Sequence, residues 1–137
     1  MNTEQIKEKL LKMVSSIVNF IANNEYEKLE TLIQLHGSWY NESGDTKSAI
    51  MGFKNAIEGT YNSWAEDMGK PFKINTFTEK NMDDDPEEIA EELLQNGNSM
   101  MTYDLKTVDD DPDYFWLEIY FDLTLDNEIT AMVNLNM

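Results

Sequence analysis

Four consecutive residues, Asp-Asp-Asp-Pro, occur twice in this chain, at residues 83–86 and again at 109–112. Clustered aspartates hold calcium when they alternate with spacers, turn at a glycine and close with a glutamate at the twelfth loop position. Neither copy has that glycine or that alternation, and proline stiffens a loop that would have to wrap the ion. The other reading is punctuation. Asp85 stands where a helix needs an N-cap, with Pro86 at the first helical position. Asp111-Pro112 opens a turn with proline at its second position. Caps and turns are therefore expected, with no specific metal set and no cofactor. His36, the only histidine, has two readings. It is either a base in a pocket closed by Trp39 and Tyr40, or a ring favoured by the dipole at a helix C-terminus. The chain contains no G-x-S-x-G, phosphate loop, H-E-x-x-H or dinucleotide fingerprint. Among 27 acidic residues no carboxylate pair can be chosen for glycoside chemistry. The expectation is a protein that is not an enzyme.

Charge narrows the class of partner. The formal net charge is −17. Residues 1–78 carry 10 acids and 8 lysines, and residues 79–137 carry 17 acids and 2 lysines. The last 59 residues thus hold a balance of −15. Such a field repels nucleic acid and anionic membranes, and it attracts basic proteins and speeds their association. Direct phosphate binding is not expected. The chain has no cysteine, which removes disulfide and thiol chemistry. With a single histidine, a zinc site is not expected either. No apolar run approaches the ~20 residues of a membrane span. The first residues, MNTEQIKEKLLKMVSSIVNF, lack the unbroken apolar core of a signal peptide. A cytoplasmic protein is the expectation. Lysine is the only basic side chain besides His36, and with 14 asparagines this points to an AT-rich bacterial or phage genome.

The elements that must position these residues follow from periodicity. At 137 residues the chain is expected to form a single domain, residues 1–137, with a real core. Residues 3–23 place Ile6, Leu10, Met13, Val14, Ile17, Phe20 and Ile21 on one helical face. Residues 24–37 read as a second helix, with Asn24 as its cap and Tyr26, Leu29, Leu32 and Ile33 as its stripe. A third helix opens at Asp45 or Thr46 and carries Ala49, Ile50, Phe53, Ile57, Tyr61, Trp64 and Met68. Its Gly52 and Gly59 imply close packing against another backbone. FKINTF, residues 72–77, reads as a short strand. A fourth, short helix follows Asp85 and ends at Gly97.

Three strands complete the chain, with the clearest period of two in the sequence. Met101, Tyr103 and Leu105 share a face. So do Phe115, Leu117, Ile119, Phe121, Leu123 and Leu125 on the long strand, and Ile129, Ala131, Val133 and Leu135 on the last. Keeping the faces in step places Leu125 opposite Ile129 around an Asp126-Asn127-Glu128 loop, with Asn127 at positive φ. The order of elements implies an α+β fold. N-terminal helices pack on a curved antiparallel sheet of about four strands, and one extra short helix precedes the last three strands.

The alternate face of the long strand carries Tyr114, Trp116, Glu118, Tyr120 and Asp122. Its neighbours on the flanking strands are Met100, Thr102, Asp104 and Lys106 on one side and Met132 and Asn134 on the other. If the helices cover the aliphatic face, this one looks outward. Aromatics would then anchor a protein partner and acids select a basic one. In the other reading a helix covers Trp116 and Tyr120.

The order of elements resembles the NTF2-like and cystatin-like folds, in which helices pack into the concave side of a curved antiparallel sheet. That resemblance implies a small-ligand binder or enzyme with a pocket near His36, Trp39, Tyr40 and Trp64. By size, acidity and lack of cysteine the chain is similar to bacterial immunity proteins of polymorphic toxins. This second resemblance implies inhibition of a basic, nuclease-type toxin. The expected contacts are Asp104, Asp109, Asp110, Asp111, Asp113, Trp116, Glu118, Tyr120 and Asp122. A DNA mimic is the third alternative, and it requires carboxylates spaced like phosphates along a ridge.

Overall fold

The structure, a computed structural model, describes residues 2–31, 33–35, 46–69, 73–107 and 115–136. Helix α1 spans Thr3–Ala22. Asn2 and Gln5 close a capping box at its start, and Ile6, Leu10, Val14, Ile17, Val18 and Ile21 are its buried stripe. Asn24 sits at φ 58° just beyond its end. The Glu25 N–H donates to the Phe20 carbonyl at 2.7 Å, the long return bond of a Schellman terminus. Asn24 therefore ends α1 and does not cap a second helix.

The helix expected over residues 24–37 is replaced by a 3₁₀ helix, Tyr26–Thr31, and a three-residue strand β1, Ile33–Leu35. Strand β1 lies parallel to β4 (Ile129–Asn136), with Ile33 paired to Ala131. Its residues gain ladder hydrogen bonds at a sheet edge, and tertiary pairing overrides a local helical stripe. Helix α2, Thr46–Met68, buries Ile50, Phe53, Ile57 and Tyr61. Gly59 does not mark close packing: a methyl group built there meets nothing within 4 Å. Helix α3, Pro86–Asn96, follows the expected capping. The Asp85 carboxylate accepts from the Glu87 N–H, Pro86 opens the helix, and Gly97 ends it at φ 80°.

Strands β2 (Asn98–Leu105), β3 (Phe115–Leu123) and β4 form an antiparallel meander. The sheet order is β1-β4-β3-β2. Among the described residues the antiparallel sheet thus has three strands, and the described part of the segment expected as a fourth at 72–77, residues 73–77, contributes only an isolated bridge from Ile74 to Thr107. That segment has another task. The Asn75 N–H donates to the Lys106 carbonyl at 2.8 Å and the Asp83 N–H to the Thr102 carbonyl at 3.0 Å. Met82 bridges to Tyr103, and the Tyr103 hydroxyl accepts from the Thr78 N–H at 3.1 Å. Residues 74–84 therefore run along the outer edge of β2 and occupy groups that would otherwise template pairing with another chain.

One core joins the layers. Ile6, Leu10 and Val14 of α1, Phe53 and Ile57 of α2, Leu93 of α3, and Met101, Leu117, Ile119 and Val133 of the sheet are all fully buried. The Tyr61 hydroxyl, also buried, donates to the Leu105 carbonyl at 3.0 Å and ties α2 to the end of β2. The β3–β4 hairpin departs from the expected register. Leu123, not Leu125, faces Ile129, and Leu125 is 103% exposed. The Thr124 N–H donates to the Glu128 carbonyl at 2.9 Å, the Glu128 N–H to Thr124 Oγ1 at 3.1 Å, and Asn127 adopts φ 60° as expected. These bonds close the five-residue loop on itself, and the slip is two residues, so the faces are preserved. Among the described residues, no helix is long and apolar enough to cross a membrane.

Candidate protein-docking face

The sheet offers two faces, and burial separates them cleanly. Odd-numbered residues of β2, β3 and β4 go to the helices: Met101, Tyr103, Leu105, Leu117, Ile119, Phe121, Ala131 and Val133 are buried. Even-numbered residues keep contact with solvent. Met100, Asp122 and Thr130 are exposed, and Thr102, Asp104, Trp116, Glu118, Tyr120, Met132 and Asn134 are intermediate. Trp116 and Tyr120 thus lie on the side away from the aliphatic core. Aliphatic burial decides the orientation, because the opposite arrangement would place Asp104, Glu118 and Asp122 inside without partners.

Registers arrange the open face in rows. Asp122 lies between Asn98 and Thr130, Tyr120 between Met100 and Met132, Glu118 between Thr102 and Asn134, and Trp116 between Asp104 and Asn136. Successive rows are about 6.8 Å apart, twice the antiparallel rise per residue. Along β3 aromatic and acidic side chains therefore alternate at that spacing. The Tyr120 hydroxyl donates to Glu118 Oε2 at 2.6 Å, which fixes both side chains. This bond, followed by desolvation and the Glu118 charge, holds the Tyr120 phenol above its usual value. A tyrosine that stays neutral while hydrogen-bonded to a carboxylate presents an apolar ring beside an acid, a pairing suited to protein recognition.

Of the expected contact residues, Asp104, Trp116, Glu118, Tyr120 and Asp122 come together on this one face. Asp109, Asp110, Asp111 and Asp113 lie outside the described residues, as do Tyr114, His36, Trp39, Tyr40 and the side chain of Trp64. The first Asp-Asp-Asp-Pro copy is placed. Its Asp83 and Asp85 act as described above, and the Asp84 carboxylate accepts from the Thr102 N–H at 3.1 Å. All three aspartates are used in holding the β2 edge and starting α3. Among the described residues no group of three or more metal-ligating side chains forms.

Glu92 of α3 does not figure in the sequence expectation. It reaches the rim of the open face beside Asn98, Met100 and Asp122, around a concavity of about 360 Å³. The signal was local, because only Gly97 separates α3 from β2. A second cleft of about 220 Å³ lies at the end of α1, lined by Ile21, Tyr26, Glu58 and Lys73. Burial, then the nearby Glu58 charge, push the Tyr26 phenol well above its usual value. Comparison of the chain with protein-family models, curated proteins and solved structures gives no match.

Proposed function

We propose that this protein is an immunity or inhibitor protein that neutralises a basic, nuclease-type bacterial toxin by binding it on the open face of its sheet. The observation that carries the reading is the sorting of the two faces. The aliphatic set is buried and the set containing Trp116, Glu118, Tyr120 and Asp122 keeps solvent contact. The balance of −15 over residues 79–137 adds steering toward a cationic surface. On this reading the protein is a binder and not an enzyme, works in the cytoplasm, and needs no cofactor. Helices on one side of a curved sheet, as in NTF2-like folds, serve here to leave the other side available.

Area indicates what else must take part. Three strands spaced about 4.8 Å apart and four rows of about 6.8 Å cover roughly 400 Å². A standard interface takes about 800 Å² from each partner. The face therefore supplies about half, and the acidic connection after β2, with Asp109, Asp110, Asp111 and Asp113, is the proposed source of much of the rest.

The test is retention of the product of the adjacent gene by the tagged protein, at rising salt. Binding at low salt that weakens as salt rises is expected, since exposed charges are screened. Trp116→Ala is expected to cost at least about 2 kcal/mol, the range of a central aromatic anchor. Absence of any basic partner at low salt, or a Trp116→Ala variant that binds like the wild type, would overturn the reading.

A further inference from the structure

The cleft at the end of α1 brings together one buried hydroxyl and two opposite charges, none of them paired. Three segments of the chain meet there, and each is held in place. The Glu25 N–H bond to the Phe20 carbonyl fixes the turn after α1 at 2.7 Å. Glu58 follows the buried Ile57 on α2, and Ile74 bridges to Thr107. Tyr26 lines the cleft and is only 4% exposed, with its ring edge-on to Phe53 at 6.3 Å. The hydroxyls of Tyr61, Tyr103 and Tyr120 each bond within the protein, but that of Tyr26 has no hydrogen-bond partner among the described residues. Nor is it sealed from solvent as Ser99 Oγ is, so it opens into the cleft that Tyr26 lines. Polar groups on buried side chains are nearly always paired, and this one keeps a donor and two acceptor positions for a group from outside. Glu58 and Lys73 share the same lining, yet no ion pair joins them among the described residues. A carboxylate and an ammonium thus stand at one opening without neutralising each other. Ile21, Ala22 and Ile74 supply an apolar wall. The volume of about 220 Å³ is below the roughly 300–1,000 Å³ of pockets for drug-sized ligands, so the occupant is small.

We propose that this cleft binds a free α-amino acid with a small aliphatic side chain. The ligand ammonium donates to the Glu58 carboxylate, and the ligand carboxylate accepts from the Lys73 ammonium. Burial, then the Glu58 charge, keep the Tyr26 phenol protonated. Its O–H donates to the ligand carboxylate, and its lone pairs accept from the ligand ammonium. The aliphatic side chain lies against Ile21, Ala22 and Ile74, which removes apolar surface from water. A ligand with one charge leaves either Glu58 or Lys73 unsatisfied, and a long side chain exceeds the volume. The site is built from α1, α2 and residues 73–74, away from the open face of the sheet, and does not depend on the toxin-binding reading.

The experiment titrates glycine, L-alanine, L-valine and L-leucine, each to millimolar concentration, into the isotope-labelled full chain and follows backbone amide shifts. Saturable shifts centred on Ala22, Tyr26, Glu58 and Ile74 are expected, with L-valine or L-leucine binding more tightly than glycine. L-Leucinamide lacks the carboxylate and 4-methylpentanoate lacks the ammonium. Each is expected to bind at least about tenfold more weakly than L-leucine, the size of one lost charge-assisted bond. Glu58→Gln and Lys73→Gln should each weaken L-leucine binding by a similar factor. Tyr26→Phe should weaken it about two- to tenfold, the span of a neutral hydrogen bond. The same variant should leave the urea midpoint at pH 7 unchanged, because the hydroxyl bonds nothing within the protein; a purely structural tyrosine would lower it. Glu66→Gln with Lys80→Gln removes one charge of each sign from exposed positions outside the lining and should keep the affinity within about twofold. No saturable shift with any of the four amino acids, equal binding of either singly charged analogue, or a Tyr26→Phe variant that binds L-leucine like the wild type would overturn the proposal.

Discussion

Asp83, Asp84 and Asp85 have identical side chains and charge, yet the structure gives each a different role, and that difference can be measured. Only the backbone of Asp83 bonds to β2. Its replacement by alanine is expected to change stability by no more than about 0.5 kcal/mol. The Asp84 carboxylate holds the Thr102 N–H on the sheet edge at 3.1 Å, so Asp84→Ala should cost about 1 kcal/mol, the net worth of one such bond in a solvated setting. Asp84→Asn keeps a carbonyl acceptor and should recover most of that loss. Asp85 caps α3 through the Glu87 N–H at 3.0 Å, and its charge faces the positive end of the helix dipole. Asp85→Ala should cost about 1.5 kcal/mol, a cap of about 1 with a dipole contribution of about 0.5. At a net charge of −17 removing any acid relieves repulsion by a similar amount. The differences among the three variants are therefore diagnostic, and salt should not reorder them. Urea unfolding followed by tryptophan fluorescence, at constant m, gives the free energies. Hydrogen exchange at the Thr102 amide gives an independent check, since Asp84→Ala should raise its rate. Three equal losses, or an unchanged Thr102 amide in Asp84→Ala, would refute the assignment of these aspartates to edge and cap, and return the segment to a purely electrostatic role.

The remaining predictions concern the core, the hairpin and pH. Tyr61→Phe leaves the Leu105 carbonyl buried without its donor and should cost about 1–3 kcal/mol in the same urea assay; a neutral result would mean that water reaches that carbonyl. Leu125→Asn should lie within about 0.5 kcal/mol of wild type, because the residue is fully exposed, whereas a loss of several kcal/mol would restore the register that pairs it with Ile129. Burial is the main cause that raises the Tyr26 and Tyr103 phenols in the folded state. Their contribution to stability is complete below the usual phenol value near 10 and is lost as pH rises through the folded values. The urea midpoint should therefore fall above about pH 10, and Tyr26→Phe should flatten that fall; a midpoint constant between pH 8 and 11 would contradict it.

Local signals were enough wherever a few adjacent residues carry the decision. Asp85, Pro86 and Gly97 delimit α3 because a cap, a proline without a donor and a left-handed glycine act within one turn. The alternation over β2, β3 and β4 assigned Met101, Tyr103, Leu105, Leu117, Ile119, Phe121, Ala131 and Val133 to the face that is buried, because the side-chain period of a strand is two regardless of its neighbours. The same periodicity is blind to even shifts, and so Leu125 and Leu123 exchanged places opposite Ile129. Asn24 is ambiguous in sequence because asparagine suits both the N-cap and the left-handed position after a helix, and what chooses between them is the bond from the Glu25 N–H to the Phe20 carbonyl five residues before it.

Composition and periodicity by themselves determined an acidic α+β chain whose charge is concentrated in its last 59 residues, with one aliphatic and one aromatic–acidic face on its long strand. Tertiary structure alone decided that the helices take the aliphatic face, since only packing against α1, α2 and α3 removes it from water. Long-range pairing turned residues 33–35 into a strand on β4 and laid residues 74–84 along β2. It also carried Glu92 to the rim of the open face. Each of these depends on backbone groups far apart in the chain satisfying one another, a constraint that no window of local sequence contains.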